Sequence, residues 1–154
     1  MQILRQAPEL NTASRKVCLA IGMFDGVHLG HQHLIRHAVL DARQHNALAV
    51  GVTFAPHPAA VLAPERQPPL IYTLPQKLRA IEETGVDAVL LLEFTREFSE
   101  QSGEAFIRHL ALGFGQLHSI CVGSTFTFGH KRSGNVALLK KLGEELHFYL
   151  ECIT

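Results

Sequence analysis

Five short apolar runs punctuate the chain: Val17–Gly22, Ala47–Phe54, Asp87–Glu93, Ser119–Gly123 and Phe148–Ile153. None alternates cleanly between apolar and polar positions. Continuous apolar runs of this length suit strands covered on both faces, as in a parallel sheet. Between them, apolar residues recur at helical spacing. His31–Gln44 carries Leu34, Ile35, Ala38 and Val39. Thr73–Thr84 opens on a T-x-x-Q capping box, Thr73 with Gln76, and stops before Gly85. Gly103–Leu112 follows Ser102 as N-cap and sets Phe106, Ile107 and Leu110 on one face, and Asn135–Leu146 carries Val136, Leu138, Leu139 and Leu142. The order βαβαβαβαβ predicts an α/β domain with a doubly wound parallel sheet of about five strands and right-handed crossovers. The proline-rich stretch Pro56–Pro69 reads as one long functional loop.

Composition narrows this picture. A chain of 154 residues, 47% hydrophobic and 18% charged, fits one folded domain with a real core. Fourteen basic residues balance fourteen acidic ones, so nothing points to nucleic acid or an anionic membrane as partner. No apolar stretch approaches membrane-span length, and the N-terminal residues lack a signal-peptide core, so the cytoplasm is the expected compartment. Cys18, Cys121 and Cys152 are far apart and sit in apolar runs, which reads as three buried free thiols rather than a redox pair or a nucleophile. The sequence carries no signal for oligomeric state.

Ligands of an open parallel α/β sheet bind outside the carboxyl ends of the strands. Three segments of unusual composition fall on that edge: Gly22–Gln32 after the first apolar run, Thr53–Pro58 after the second, and Gly123–Asn135 after the fourth. In the first, Asp25 and Gly26 turn the chain off the strand, and His28 and His31 open a helix three residues apart on one face. The first turn of a helix has unpaired N–H groups and a positive dipole end, which suits phosphate. Gly30 removes a side chain where phosphate would approach. Capping or packing is the alternative role for these histidines. Zinc is a third, but His33 and His37 face elsewhere on the helix and no cysteine or carboxylate completes the set, so no metal site is expected here. In the second segment Pro56 and Pro58 fix the direction of His57, or simply stiffen a surface turn. In the third, Phe126 and Phe128 lie on one side of an extended stretch, as a face for a flat ring or as core. Lys131 and Arg132 follow as candidate phosphate-binding cations or as a solvated basic pair.

With these residues in view, GMFDGVHLGHQHLI, TFAPHP and VGSTFTFGHKRSGN resemble three successive motifs of the bacterial bifunctional FAD synthetase family, riboflavin kinase/FMN adenylyltransferase. The stretch from Leu74 to Ile107 is similar to the family's middle segment, and the resemblance runs from about Val17 onward. The HxGH element alone marks the nucleotidyltransferase superfamily; the other two motifs narrow it to the FMN adenylyltransferase module. The resemblance implies a Rossmann-like domain that transfers AMP from ATP to FMN, with Mg2+, giving FAD and pyrophosphate without a covalent enzyme intermediate. It implies that His28 and His31 are catalytic and bind the ATP phosphates. Gly22, Phe24, Asp25 and Gly30 would shape that nucleotide pocket, with Lys131 and Arg132 as further nucleotide contacts. His57, Pro58, Thr125, Phe126 and Phe128 would form the flavin side. Thr125 stands where the family usually has Asp or Asn.

The family module continues into a Ser-Ser-Thr-x-Ile-Arg segment and a riboflavin kinase domain, and neither occurs before Thr154. The expectation is therefore one adenylyltransferase domain, weak or inactive in this form. Two other functions compete. One is an HxGH transferase acting on pantetheine phosphate, nicotinate mononucleotide or a polyol phosphate, against which the TFAPHP and FTFG segments argue. The other is a domain that binds ATP or flavin without turnover.

Overall fold

The structure, a computed structural model, describes residues 1–25, 29–66 and 73–153. Its centre is a six-stranded sheet in which every pairing is parallel. The strands are β1 (Gln2–Leu4), β2 (Val17–Ile21), β3 (Leu48–Ala55), β4 (Ala88–Glu93), β5 (Leu117–Gly123) and β6 (Tyr149–Ile153), in the order β1-β4-β3-β2-β5-β6. The helices are α1 (Leu29–Gln44), α2 (Pro58–Leu62), α3 (Leu74–Glu82), α4 (Arg96–Ser99), α5 (Gly103–Phe114) and α6 (Val136–Leu146). The expected doubly wound α/β architecture is present.

Adjacent residues of β2 serve opposite cores, which explains its unbroken apolar run. Val17, Leu19 and Ile21 point into one cluster, where α5 supplies Phe106, Ile107, Leu110 and Phe114 and α6 supplies Leu139 and Leu142. Cys18 and Ala20 point into the other, with Leu34, Ile35, Ala38 and Ala42 of α1 and Ile81 of α3. The second core is built largely of small residues, so α1 lies close against the sheet. All five residues of β2 are buried, as a strand covered on both faces requires.

The helix ends follow the expected chemistry. Thr73 Oγ1 accepts from the Gln76 N–H and Gln76 Oε1 accepts from the Thr73 N–H, at 3.3 and 2.9 Å. Ser102 and Asn135 accept from the N–H groups of Ala105 and Leu138.

One expectation is extended and two are corrected. A sixth strand, β1, adds to the edge beside β4; three residues leave no periodic trace in a sequence. The Pro56–Pro69 stretch is not one loop, since α2 and a 3-10 turn at Pro64–Arg66 lie within it, while residues 67–69 fall outside the described region. Cys152 is exposed, unlike Cys18 and Cys121, because it lies on the edge strand β6, none of whose residues is fully buried. All three thiols are free. Among the described residues, no helix is long and apolar enough to cross a membrane.

Ile107 is fully buried in the larger core. Ile107→Ala should lower unfolding free energy by about 2–5 kcal/mol, the cost of a cavity in a packed interior. Urea unfolding measures it; a loss near zero would mean that the helix–sheet interface is not closely packed.

Candidate active site

The chain leaving β2 is tied down beside β3. The Gly22 N–H donates to the Val52 carbonyl at 3.1 Å, and the buried Thr53 Oγ1 donates to the Met23 carbonyl at 2.9 Å. Phe24 then takes a positive φ of 50° and tucks its ring fully into the smaller core. A Cβ at Gly22 would stand 2.6 Å from that ring, so the glycine is required by the fold of the turn itself. Phe24 therefore shapes the site from beneath and offers no surface to a ligand. The turn delivers a half-buried Asp25 to the carboxyl edge of the sheet.

Helix α1 begins after this turn. Its third residue, His31, packs edge-on against Phe24, with ring centroids 5.5 Å apart and planes at 71°. The His31 Nδ1 is shut off from solvent. Gly30 is exposed on the same first turn. Gly26 and His28 lie outside the described residues, so the expected histidine pair is represented here by His31.

Two cavities open on this edge and share Met23 and Phe54. The first, about 470 Å³, is bounded by Asp25, Ala55, Pro56 and His57, with Arg5, Lys77 and Glu93 around it. His57 also caps α2, its Nδ1 accepting from the Ala59 N–H at 3.1 Å. The second, about 170 Å³, is rich in aromatic rings, with Phe94, Phe98, Phe106, Phe126 and Phe128 in its wall beside Pro58. Phe126 and Phe128 stack on each other at 5.5 Å with planes 18° apart. They divide the roles that sequence left open: Phe128 belongs to the core, while Phe126 is partly exposed and packs against that core.

The third segment is held by close backbone contact. Gly129, at φ 78°, lies directly on the backbone of Gly103 at the start of α5, where a Cβ would collide with the main chain. The His130 N–H donates to the Gln101 carbonyl at 2.9 Å, and Ser133 Oγ accepts from the Gly103 N–H at 2.9 Å. Thr125 is exposed on the turn above; Thr127, not Thr125, lines the aromatic cavity. Lys131 lines a separate groove beside Arg96 and His130, and Arg132 is exposed, so neither borders the cavity that Asp25 faces.

Sequence reasoning passed over Lys77. Its position on α3, one turn before the buried Ile81, is the signal that was available, because both share a helix face. Lys77 is 8% exposed, and its Nζ donates to the Phe54 carbonyl at 3.1 Å. Burial pushes its ammonium down from the ordinary 10.5 to about 8, against the opposing pull of the Asp25 carboxylate. The cavity thus holds a poised cation facing an acid.

A parallel α/β sheet with anchored turns and paired cavities at its carboxyl edge defines a class of small-ligand-binding, doubly wound domains. Comparison with known proteins makes the assignment specific. The FAD synthetase family model matches residues 10–154, and the chain belongs to that family. It is 33% identical over 148 residues to the bifunctional riboflavin kinase/FMN adenylyltransferase of Buchnera aphidicola subsp. Schizaphis graminum, covering 96% of this chain and 47% of that protein. It is 35% identical over 149 residues to the protein of the same name in Escherichia coli K12, covering 96% and 48%. The chain spans about half the length of the curated relatives it matches. A solved structure described as a macrolide-efflux protein from Streptococcus pneumoniae shares the fold, with a TM-score of 0.76 at 24% identity over 98% of this chain and 48% of that one.

The depressed Lys77 gives a signed pH dependence. The unfolded chain holds this proton up to 10.5 and the folded one up to about 8, so folding releases it between those values. Stability gained from this residue should therefore rise as pH increases from about 8 to 10.5, by up to about 3 kcal/mol, and be flat below. Lys77→Met should remove that rise. Chemical denaturation of both proteins across the window tests this; parallel pH profiles would show that Lys77 titrates as a surface lysine.

Proposed function

We propose that this domain is an FMN adenylyltransferase: it transfers AMP from ATP to FMN and releases pyrophosphate. An oxygen of the FMN phosphate attacks the α-phosphorus of ATP. The bond from that phosphorus to its bridging oxygen breaks, and pyrophosphate carries away the electron pair. Catalysis of this kind rests on alignment and on stabilising charge at phosphorus, not on a covalent enzyme group.

The observation that carries this reading is the convergence of the turn leaving β2, with Met23 and Asp25, the His57 loop and the aromatic cavity on one sheet edge, in a chain of the FAD synthetase family. His31, with His28, donates N–H groups to the phosphate oxygens as charge develops, at a helix end already positive. Gly30 leaves room for that approach, Gly22 and Phe24 hold the turn, and Asp25 stands at its side. The flavin ring enters the aromatic cavity against Phe126, with Phe128 behind it and Pro58 at its rim. His57 and Lys77 line the adjoining cavity, where the acceptor's polar tail and phosphate would run. Thr125, Lys131 and Arg132 stand exposed at the periphery, outside the linings of both cavities. Mg2+ would enter with ATP. Asp25 and Glu93 offer the carboxylate oxygens that such a hard ion takes, and the ion would neutralise phosphate charge.

His31→Ala should lower turnover per folded molecule by roughly 10²–10³, the usual cost of one transition-state donor. Pyrophosphate release with FMN and ATP measures it, and unchanged turnover would make His31 a packing residue for Phe24. Phe126→Ala should weaken FMN binding at least tenfold in calorimetry while leaving ATP binding unaltered. Unchanged flavin affinity in that variant would move the ring site elsewhere.

A further inference from the structure

At the opposite edge of the sheet, the last turns of α1 meet the start of β5. Asp41 lies in the last turn of α1, His45 stands in the turn just past its end, and His118 enters from β5. The three side chains offer ligand atoms that all lie within 4.8 Å of one another. Asp41 Oδ1 is 3.1 Å from His45 Nδ1 and 3.6 Å from His118 Nε2. A tetrahedral ion with metal–ligand bonds near 2.0–2.1 Å sets its ligand atoms about 3.4 Å apart. The observed spacings bracket that value.

We propose that Asp41, His45 and His118 form a binding site for a zinc-like divalent ion. The site is independent of the adenylyltransferase reading and lies along α1 from His31 by roughly 15–20 Å, at 1.5 Å per helical residue.

Four features beyond proximity support it. The Asp41 carboxylate is only 15% exposed and is oriented from behind: the fully buried Ser119 donates Oγ–H to Oδ2 at 2.6 Å. Cys18 Sγ approaches the same oxygen at 3.7 Å. Oδ1 is thereby left toward the two imidazoles, the arrangement by which outer partners set a metal-binding carboxylate. His118 is itself restricted, 12% exposed and packed against Tyr149 with ring centroids 5.4 Å apart. The imidazoles of His45 and His118 lie 4.2 Å apart with planes at 32°, which brings both rings beside the one carboxylate. His45 is 48% exposed and gives an ion a path in from solvent, with water to complete the coordination.

The donor set selects the ion. Two imidazole nitrogens and one carboxylate oxygen suit zinc, cobalt or nickel; magnesium and calcium prefer all-oxygen sites. A bound ion would replace the contacts that His45 Nδ1 makes with the Asp41 carboxylate at 3.1 Å and with the Asp41 carbonyl oxygen at 2.9 Å. It would clip the C-terminal end of α1 to β5 and stabilise the fold by mass action.

Titration of the whole chain with Zn2+ in the calorimeter, with thermal unfolding in parallel, tests this. One equivalent should bind and raise the melting temperature. His45→Gln and His118→Gln should each weaken zinc binding at least tenfold and abolish the thermal shift. Ser119→Ala should weaken it by roughly 10–100-fold, as for loss of an outer-shell partner. His28→Ala/His31→Ala and Cys152→Ser should bind zinc as wild type does, and His45→Gln should form FAD at the wild-type rate. Absence of binding would overturn the proposal, as would zinc binding that survives His45→Gln and His118→Gln or that disappears with the other histidines or Cys152.

Discussion

The hydrogen bond from the buried Thr53 Oγ1 to the Met23 carbonyl, 2.9 Å long, is the joint on which the candidate site depends. It ties the turn leaving β2 to β3 at the point where both strands end. Without a side-chain donor there, the Met23 carbonyl would lose its tie to β3, and the bond from the Gly22 N–H to the Val52 carbonyl would be left to hold the turn. With it, Phe24 can drop its ring into the core, Asp25 is presented at the edge, and α1 starts in register above. Two segments read separately in the sequence, GMFD and TFAP, are in this sense one structural unit.

The site that results has two unlike halves. One cavity is lined by phenylalanines that also pack the core, so its shape is as stiff as the core behind it. The other holds Lys77, Asp25, His57, Arg5 and Glu93 in a space open to solvent on one side. An amphipathic acceptor, flat and apolar at one end and phosphorylated at the other, matches that division. Net charge near zero conceals it, because the charges that matter are a few groups around one cavity, Lys77 buried among them, and not a surface field.

Much of this was legible because the informative signals were local. Burial on both faces writes itself as an unbroken apolar run, and a helix start as Thr73 with Gln76 or Ser102 alone. The three glycine- and histidine-bearing segments stood on one edge by the rule of parallel sheets. What escaped depends on contacts between distant residues. Lys77 looks like any solvated lysine until α3 is laid over Phe54. His118 looks like a strand residue until α1 brings Asp41 and His45 beside it; the histidine cluster that sequence offered for zinc, around His28, is not the one that the fold assembles among the described residues. The sequence pattern also could not separate Phe126 from Phe128, since alternation places both on one side and only packing decides which is buried deeper.

The proposed reaction delivers the adenylyl group of ATP to a phosphate oxygen of FMN. Its most direct test follows a label. ATP labelled at the α-phosphorus is incubated with the protein and either FMN or riboflavin, and the flavins are separated. The account predicts labelled FAD from FMN, none from riboflavin, and one pyrophosphate released for each FAD formed. Labelled product from riboflavin, or a label retained covalently on the protein, would contradict it.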